Sequence, residues 1–340
     1  MMKKYFLPTA KTALVLIYLV ILAGALVRMT GSGMGCPDWP KCFGYYIPPT
    51  DIKELTWRPD RDFEEGQVII KDEQLLVAVS DFKSGKSFNA ENWRPYTKHD
   101  YAIFNPTHTW IEYLNRLAGA VAGLATLAMA LLSLAYRKSN RRILWLSWLT
   151  VFLMGFQGWL GATVVYSVLN PVKITLHMIV ALVIVAVVLY IIREASGKLN
   201  FMRSDKTFRI ALFIALFLTL LQIITGTQVR QFVDEQVKVF GYDQMHLILS
   251  EPKFTFYFHR TFSIAVFCLN LFLFVRNKAL KLQQRNMTLV MILLLIEIAT
   301  GIFMYYFHFP LGSQAVHLFV ASLLFGLQFY MLLNRKSVIE

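Results

Sequence analysis

Three histidines lie in strongly apolar sequence, His177, His259 and His317, and an asparagine, Asn115, stands where the pattern calls for a fourth. The pattern is an internal duplication. The second half carries Gly226-Thr-Gln-Val-Arg230, Phe258-His259-Arg260, Gly301 and His317; the first carries Gly24-Ala-Leu-Val-Arg28, Leu114-Asn115-Arg116, Gly161 and His177. The glycine-to-arginine step is 4 residues in both halves and the glycine-to-histidine step 16, while Asn115 to His177 is 62 residues and His259 to His317 is 58. Neutral imidazole is a common iron ligand, and two of them on opposite faces of a haem give a low-spin centre suited to electron transfer. The duplication therefore points to two haem pockets, and Asn115 to a first pocket that no longer does the job of the second.

The elements that position these residues are membrane helices. Of 340 residues 56% are hydrophobic and 16% charged, with a mean hydropathy of +0.50, and a spanning helix needs about 20 mostly apolar residues. Eight segments qualify: 12–29, 110–135, 143–165, 172–192, 209–229, 254–275, 287–306 and 312–333. The first is short enough to resemble a signal peptide, but it lacks a small-x-small cleavage site and contributes Gly24 and Arg28 to the repeat. The expected fold is all-α: a polytopic membrane protein of eight transmembrane helices, arranged as two parallel-repeat four-helix bundles. Four helices per half is an even number, so both halves enter the membrane in the same direction. The halves are residues 1–192, with a large outer loop at about 30–109, and 193–340. Within the loop, Gln67–Ile70 and Leu75–Val79 read as a small hairpin.

The net charge of +13 is topological rather than a nucleic-acid footprint. Lys and Arg cluster in alternate short loops: Lys3, Lys4 and Lys11; Arg137, Lys138, Arg141 and Arg142; Arg193, Lys198, Arg203, Lys206 and Arg209; Arg276, Lys278, Lys281 and Arg285; Arg335 and Lys336. This bias places both termini in the cytoplasm. The even-numbered helices then run inwards, so Glu112, Asn115, His177, His259 and His317 all fall roughly 5–10 Å below the outer surface at about 1.5 Å per residue.

Each residue also has a plainer reading. A lone membrane histidine can be a packing residue, although ionisable groups in a membrane lean functional and the repeat strengthens that reading for His259 and His317. Gly161 and Gly301 either let a flat macrocycle approach the backbone or pack helices. Arg28, Arg116, Arg230 and Arg260 lie near the outer helix ends, where they pair with haem propionates or loop acids or snorkel to lipid head groups. Glu112 shares a helix face with Asn115, and its counterpart in the second half is Phe256. An acid confined to the pocket that lost a ligand is a candidate for proton chemistry. Glu297, whose counterpart is Gln157, belongs to a proton or electron route or merely bonds a neighbouring helix. Cys36 and Cys42 are expected to pair in an oxidising outer compartment, as a loop staple or as a redox-active couple; two thiols without an adjacent histidine argue against a metal site. Cys268 reads as packing, and His99, His108, His246 and His308 as loop or interface residues.

With these residues in view, the chain resembles the haem A synthases along essentially its whole length. The resemblance rests on Val27-Arg-Met-Thr-Gly-Ser-Gly-Met-Gly-Cys-Pro-Asp-Trp-Pro-Lys-Cys42, Trp110-Ile-Glu-Tyr-Leu-Asn-Arg116, Gly158-Trp-Leu-Gly-Ala-Thr163, Thr175-Leu-His177, Gly226-Thr-Gln-Val-Arg230, His259-Arg260 and Ala315-Val-His317. It implies an oxidoreductase that converts the C8 methyl of haem O to a formyl group, with His259 and His317 as the ligands of a resident haem B. His177 and Glu112 then match the substrate pocket, and Cys36 and Cys42 the outer-loop cysteine pair. Asn115 departs from the second histidine that many members carry, so haem O would be held through His177 alone, with water or Asn115 opposite. The implied partners are a haem O synthase, a haem-copper terminal oxidase as recipient and an electron acceptor not named by the sequence. The implied location is the bacterial inner membrane, with both pockets towards the outer face.

Three rival readings fit the residues less well. A b-type cytochrome that only moves electrons would use both pockets for permanent haems, which Asn115 argues against. A transporter would more often show broken helices and polar groups near the midplane, whereas here the polar groups cluster on the outer side, with Glu297 the main exception. A bare structural subunit would not need Glu112 beside a pocket.

Overall fold

In the computed structural model, residues 2–197, 202–203, 205–333 and 336–337 are described; Lys198 and Arg335 of the charge pattern lie outside them. Eight helices among the described residues are long and apolar enough to cross a membrane. They are α1 (Met2–Met29), α2 (Pro106–Ser133), α3 (Arg141–Tyr166), α4 (Pro171–Ala195), α5 (Lys206–Phe240), α6 (Phe254–Ala279), α7 (Asn286–Tyr306) and α8 (Ser313–Leu332). Their starts are written in the sequence. Asn105 and Asn170 cap α2 and α4, accepting from the backbone of His108 and of Val172 and Lys173, and a proline follows each cap where no N–H is needed. Asp205 caps α5 through the Phe208 N–H at 2.7 Å.

Two boundaries differ from expectation. Helix α1 begins at Met2 rather than near 12, because Phe6 and Ala10 are fully buried in the core. Helix α5 continues to Phe240 rather than stopping near 229. Residues 231–240 carry Gln231, Asp234, Glu235, Gln236 and Lys238 and read as loop, but Phe232 and Val233 are buried and Asp234 is neutralised by arginines.

Consecutive helices pack as hairpins, α1 with α2, α3 with α4, α5 with α6 and α7 with α8; α1, α4, α5 and α8 meet in the centre. One core joins Ile17 and Ile21 of α1, Leu182, Val185 and Val188 of α4, Ile223 of α5 and Phe325 of α8. Against lipid-like surroundings such packing gains little from water exclusion, so close fit and polar pairing carry the specificity. An example is the buried bond from Gln328 of α8 to Asn270 of α6 at 3.0 Å.

The loop between α1 and α2 is a folded unit. Strands β1 (Asp62–Phe63) and β4 (Phe82–Lys83) pair, and β2 (Val68–Lys71), β3 (Gln74–Ala78) and β5 (Trp93–Pro95) form an antiparallel sheet in the order β2-β3-β5. The expected hairpin is β2–β3, with Val68 opposite Val77 and the turn residues Asp72 and Glu73 both at positive φ. The unit has its own core of Phe43, Leu55, Val68, Leu75 and Val77 around the Cys36–Cys42 disulfide.

Candidate functional site

The four duplicated positions meet four glycines. A Cβ on Gly226 would stand 3.1 Å from His259 Cε1, one on Gly161 3.4 Å from His177 Cε1, one on Gly301 3.8 Å from His317 Cε1, and one on Gly24 3.9 Å from Asn115 Oδ1. Gly161 and Gly301 thus stand directly against the imidazole of the next helix. Each ligand-type side chain lies in a groove that a larger residue would narrow.

His259 of α6 and His317 of α8 face each other, with ring centres 6.4 Å apart and planes at 68°. Two metal–imidazole bonds of roughly 2 Å, plus about 1 Å from nitrogen to each ring centre, require about 6 Å. The separation therefore fits one iron between two imidazoles. The Nδ1 atoms are already engaged: Thr225 Oγ1 lies 3.1 Å from that of His259, and Thr300 Oγ1 and Glu297 Oε2 lie 2.8 and 3.0 Å from that of His317. That leaves Nε2 of each ring as the nitrogen available to a metal. No cluster of three or more His, Cys, Asp or Glu able to hold a bare metal ion exists among the described residues. A haem needs none, because its macrocycle supplies the remaining bonds and the protein only the axial pair.

The first pocket is built differently. His177 is held at its backbone, where its carbonyl accepts from Gln157 Nε2 at 2.9 Å, as that of His259 accepts from Gln222 at 2.8 Å. Among the described residues its Nδ1 has no hydrogen-bond partner, nor does the buried Asn115 Oδ1. Polar atoms left bare in a membrane interior are costly, and such atoms at a pocket suit a ligand that comes and goes.

Glu112 is 4% exposed and tied on both oxygens. Oε1 pairs with Arg116 Nη2 at 2.6 Å, and Oε2 accepts the Cys36 N–H at 2.9 Å. Arg116 also donates to the carbonyls of Asp38 at 2.6 Å, Lys41 at 3.0 Å and Cys36 at 3.2 Å. Thr109 donates to Gly35 O at 2.8 Å, and a side chain on Gly35 would strike the His108 carbonyl. The disulfide ring is therefore clamped onto the first turns of α2, directly beside Asn115. Asp38, whose oxygens accept the Phe43 and Gly44 N–H groups, has its carboxyl pushed above the usual range by burial, against the pull of those donors and of Arg116.

The other arginines are placed unequally. Arg28 and Arg230 both pair with Asp234, at 3.0 and 2.6 Å, and Arg230 donates to the Arg28 carbonyl at 2.7 Å. Arg260 lies over the rings of Phe256 and Tyr257. The i, i+4 relation that gives Arg116 a carboxylate in the first half gives Arg260 an aromatic face in the second.

Sequence reasoning missed Thr225, Thr300, Gln222 and Asp234. The available signal was a threonine directly before each glycine of the second half, Thr225-Gly226 and Thr300-Gly301. It also missed a polar contact between the halves, where Thr175 of α4 meets Thr227 of α5 at 2.8 Å and accepts from Gln228 at 3.0 Å. A separate groove of about 800 Å³ between α3, α4, α5 and α8, with Arg141 and Arg142 at its mouth, lies at the far end of the helices from the histidines.

Comparison with known proteins agrees with this arrangement. The heme A synthase of Flavobacterium johnsoniae is 25% identical over 347 residues, covering 94% of each chain. That of Listeria monocytogenes serotype 4a is 22% identical, over 98% of this chain and 96% of that one. The heme A synthase of Shewanella oneidensis is 27% identical over 173 residues, covering 50% of this chain and 39% of that one. The family model for COX15-CtaA, cytochrome oxidase assembly protein, matches residues 10–329. A family match over nearly the whole length, on a bundle whose histidines and glycines meet as described, establishes that this chain belongs to the COX15-CtaA family.

Proposed function

We propose that this chain oxidises the C8 methyl of haem O to a formyl group in two successive steps. The substrate would occupy the pocket of His177 and Asn115 in residues 1–192, and a haem B the pocket of His259 and His317 in residues 193–340. As a member of its family the chain is a multi-pass membrane oxidoreductase of haem A biosynthesis. The observation that carries the finer reading is the asymmetry of the two pockets. One has two imidazoles facing across 6.4 Å with both Nδ1 atoms engaged; the other has one imidazole, an asparagine and a nearby acid. The pair of imidazoles in the second half is suited to a permanent group, and the site of His177 and Asn115 in the first half to exchange.

Bound between His259 and His317, the haem B would supply a one-electron relay. The remaining work falls to the chain's own residues. His177 binds the substrate iron and orients the ring. Each oxidation removes two electrons and releases two protons while water supplies oxygen, so a base must stand nearby; Glu112, set one turn before Asn115 and held by Arg116 and the Cys36 N–H, takes that part. Arg28 and Arg116 on the substrate side, and Arg230 and Arg260 on the other, offer guanidinium groups to propionates. Among these, Arg260 has no carboxylate partner among the described residues. The topology that follows from the loop charges puts both termini in the cytoplasm of a bacterial inner membrane and both pockets towards the outer face. A haem O synthase would feed the site, a haem-copper oxidase would receive the product, and a separate acceptor would take the electrons.

The test is the haem content of membranes that express this chain together with a haem O synthase, read by chromatography and mass spectrometry. Haem A, or its hydroxylated precursor, should appear only when the chain is present. Unchanged haem O beside protein-bound haem B, where a control enzyme converts it, would leave a plain electron-transfer cytochrome.

A further inference from the structure

We propose that Thr225 and Thr300 are positioning residues that lock the tautomer and ring orientation of His259 and His317, and that the lack of such a hydroxyl beside His177 keeps the first pocket exchangeable. The proposal rests on the reading above that His259 and His317 hold a haem.

The argument begins with where each hydroxyl proton goes. Thr225 Oγ1 donates to the Gln222 carbonyl at 3.0 Å, and Thr300 Oγ1 to the Ile296 and Glu297 carbonyls at 2.8 and 3.0 Å. Back-bonding of this kind is the ordinary fate of a threonine inside a helix. A hydroxyl has one proton, and here the helix's own carbonyls take it. Towards the imidazole each oxygen is therefore only an acceptor, at 3.1 Å for His259 and 2.8 Å for His317, where the Glu297 carboxylate at 3.0 Å is a second acceptor on the same nitrogen. An acceptor at Nδ1 requires a proton on Nδ1. A neutral ring with its proton there carries its lone pair on Nε2, the other nitrogen of a ring whose centre lies 6.4 Å from that of the opposite imidazole. The threonine thus selects the metal-ready tautomer before any iron arrives, and fixes the ring plane against the neighbouring glycine.

The same register in the first half holds no hydroxyl. Counting back from each glycine, position −1 is Thr225 in α5 and Thr300 in α7, but Ala23 in α1 and Leu160 in α3. Position −4 is Gln222 and Glu297 in the second half, and Val20 and Gln157 in the first. Gln157 keeps the backbone bond to the His177 carbonyl, so the helix contact survives while the ring anchor is lost. His177 Nδ1 accordingly has no partner among the described residues. A ring without that anchor is free to choose either tautomer and to turn, which weakens and loosens its hold on iron.

The experiment uses the full-length protein in detergent, and reads the low-spin electron paramagnetic resonance signal, the midpoint potential and the rate of haem transfer to excess apomyoglobin. Thr→Val keeps the shape and removes the hydroxyl; Thr→Ser keeps the hydroxyl. T225V, which takes the acceptor from His259 Nδ1, should shift the low-spin g-values and speed haem transfer by about tenfold, the equivalent of one net hydrogen bond. T300V leaves the Glu297 carboxylate on His317 Nδ1 and should reach a shift of that size only together with E297A. T225S and T300S should stay near wild type. A T225V protein, or a T300V/E297A protein, that keeps wild-type g-values, potential and transfer rate would overturn the lock. The converse variant, L160T, gives His177 the missing acceptor and should slow release of added haem O from the first pocket by a similar factor, with the unchanged signal of the second haem as its folding control. Release at the wild-type rate would overturn the second half of the proposal. Failure of the underlying reading looks different: wild-type protein would show no bis-imidazole low-spin signal, or H259A and H317A would both retain it.

Discussion

Arg28 of α1 and Asp234 of α5, 206 residues apart, meet at 3.0 Å. The same carboxylate takes Arg230, which stands four residues after Gly226 as Arg28 stands four after Gly24. One acid thus ties the equivalent arginines of two helices together at the rim of both pockets. Asp234→Ala should weaken this tie. The side chains are 17–27% exposed, so the loss should be modest, about 1 kcal/mol, seen as a lower thermal midpoint in detergent that high salt no longer changes. An unaltered midpoint at low and high salt would mean the tie contributes nothing.

His259→Ala and His317→Ala should each abolish the low-spin haem signal, because one imidazole cannot complete an axial pair. Protein yield and the Cys36–Cys42 bond should persist, since neither ring contributes to the loop core. If both variants kept a normal low-spin spectrum, the axial assignment would be wrong.

Glu112→Gln preserves an acceptor for the Cys36 N–H but removes the charge that faces Arg116. Conversion of haem O should fall by about 100-fold or more, the usual scale for losing a general base, while haem B at the second pocket stays. Full conversion by this variant would remove Glu112 from the chemistry and leave it as the clamp of the disulfide loop.

Asn115→His puts an imidazole into the groove at Gly24, just as His259 lies in the groove at Gly226. The first pocket should then hold haem O between two imidazoles. A second low-spin signal should appear, and product should leave more slowly. A spectrum identical to wild type after loading with haem O would show that the two side chains do not converge on one iron.

Asp205 offers a test by pH. Its pairing with Arg276 at 2.5 Å, and next its bond to the Phe208 N–H, hold its carboxyl below the ordinary value of 3.8. The folded state thus favours the ionised form. The stabilisation is fully present above 3.8 and is lost as the pH falls through the lower folded value. Asp205→Asn keeps the cap and removes the charge. The gap in thermal midpoint between wild type and this variant should be constant from about pH 6 to 8 and close below about pH 4. A gap that narrows near neutrality would point to another group.

Much of this protein is determined by its sequence alone. Runs of about 20 apolar residues admit only helices in a bilayer, because every backbone N–H must be satisfied within its own segment. Eight spans and the grouping of histidines near one set of helix ends follow from that. The β2–β3 hairpin was legible for the same reason, as two apolar runs about a turn. The tertiary structure alone decided which groups meet. Residues 231–240 carry five polar or charged side chains, yet Arg28 from another helix neutralises Asp234 and the helix continues. Arg116 turned to Glu112 and the loop carbonyls, a choice that depends on how the disulfide ring docks on α2. Thr225 and Thr300 look like ordinary helix residues until the helices pack, because their oxygens acquire a role only when an imidazole from the next helix arrives within 3.1 Å. Periodicity and composition report what a segment does with solvent and with itself; the partner of a side chain is a property of two segments, and packing supplies it.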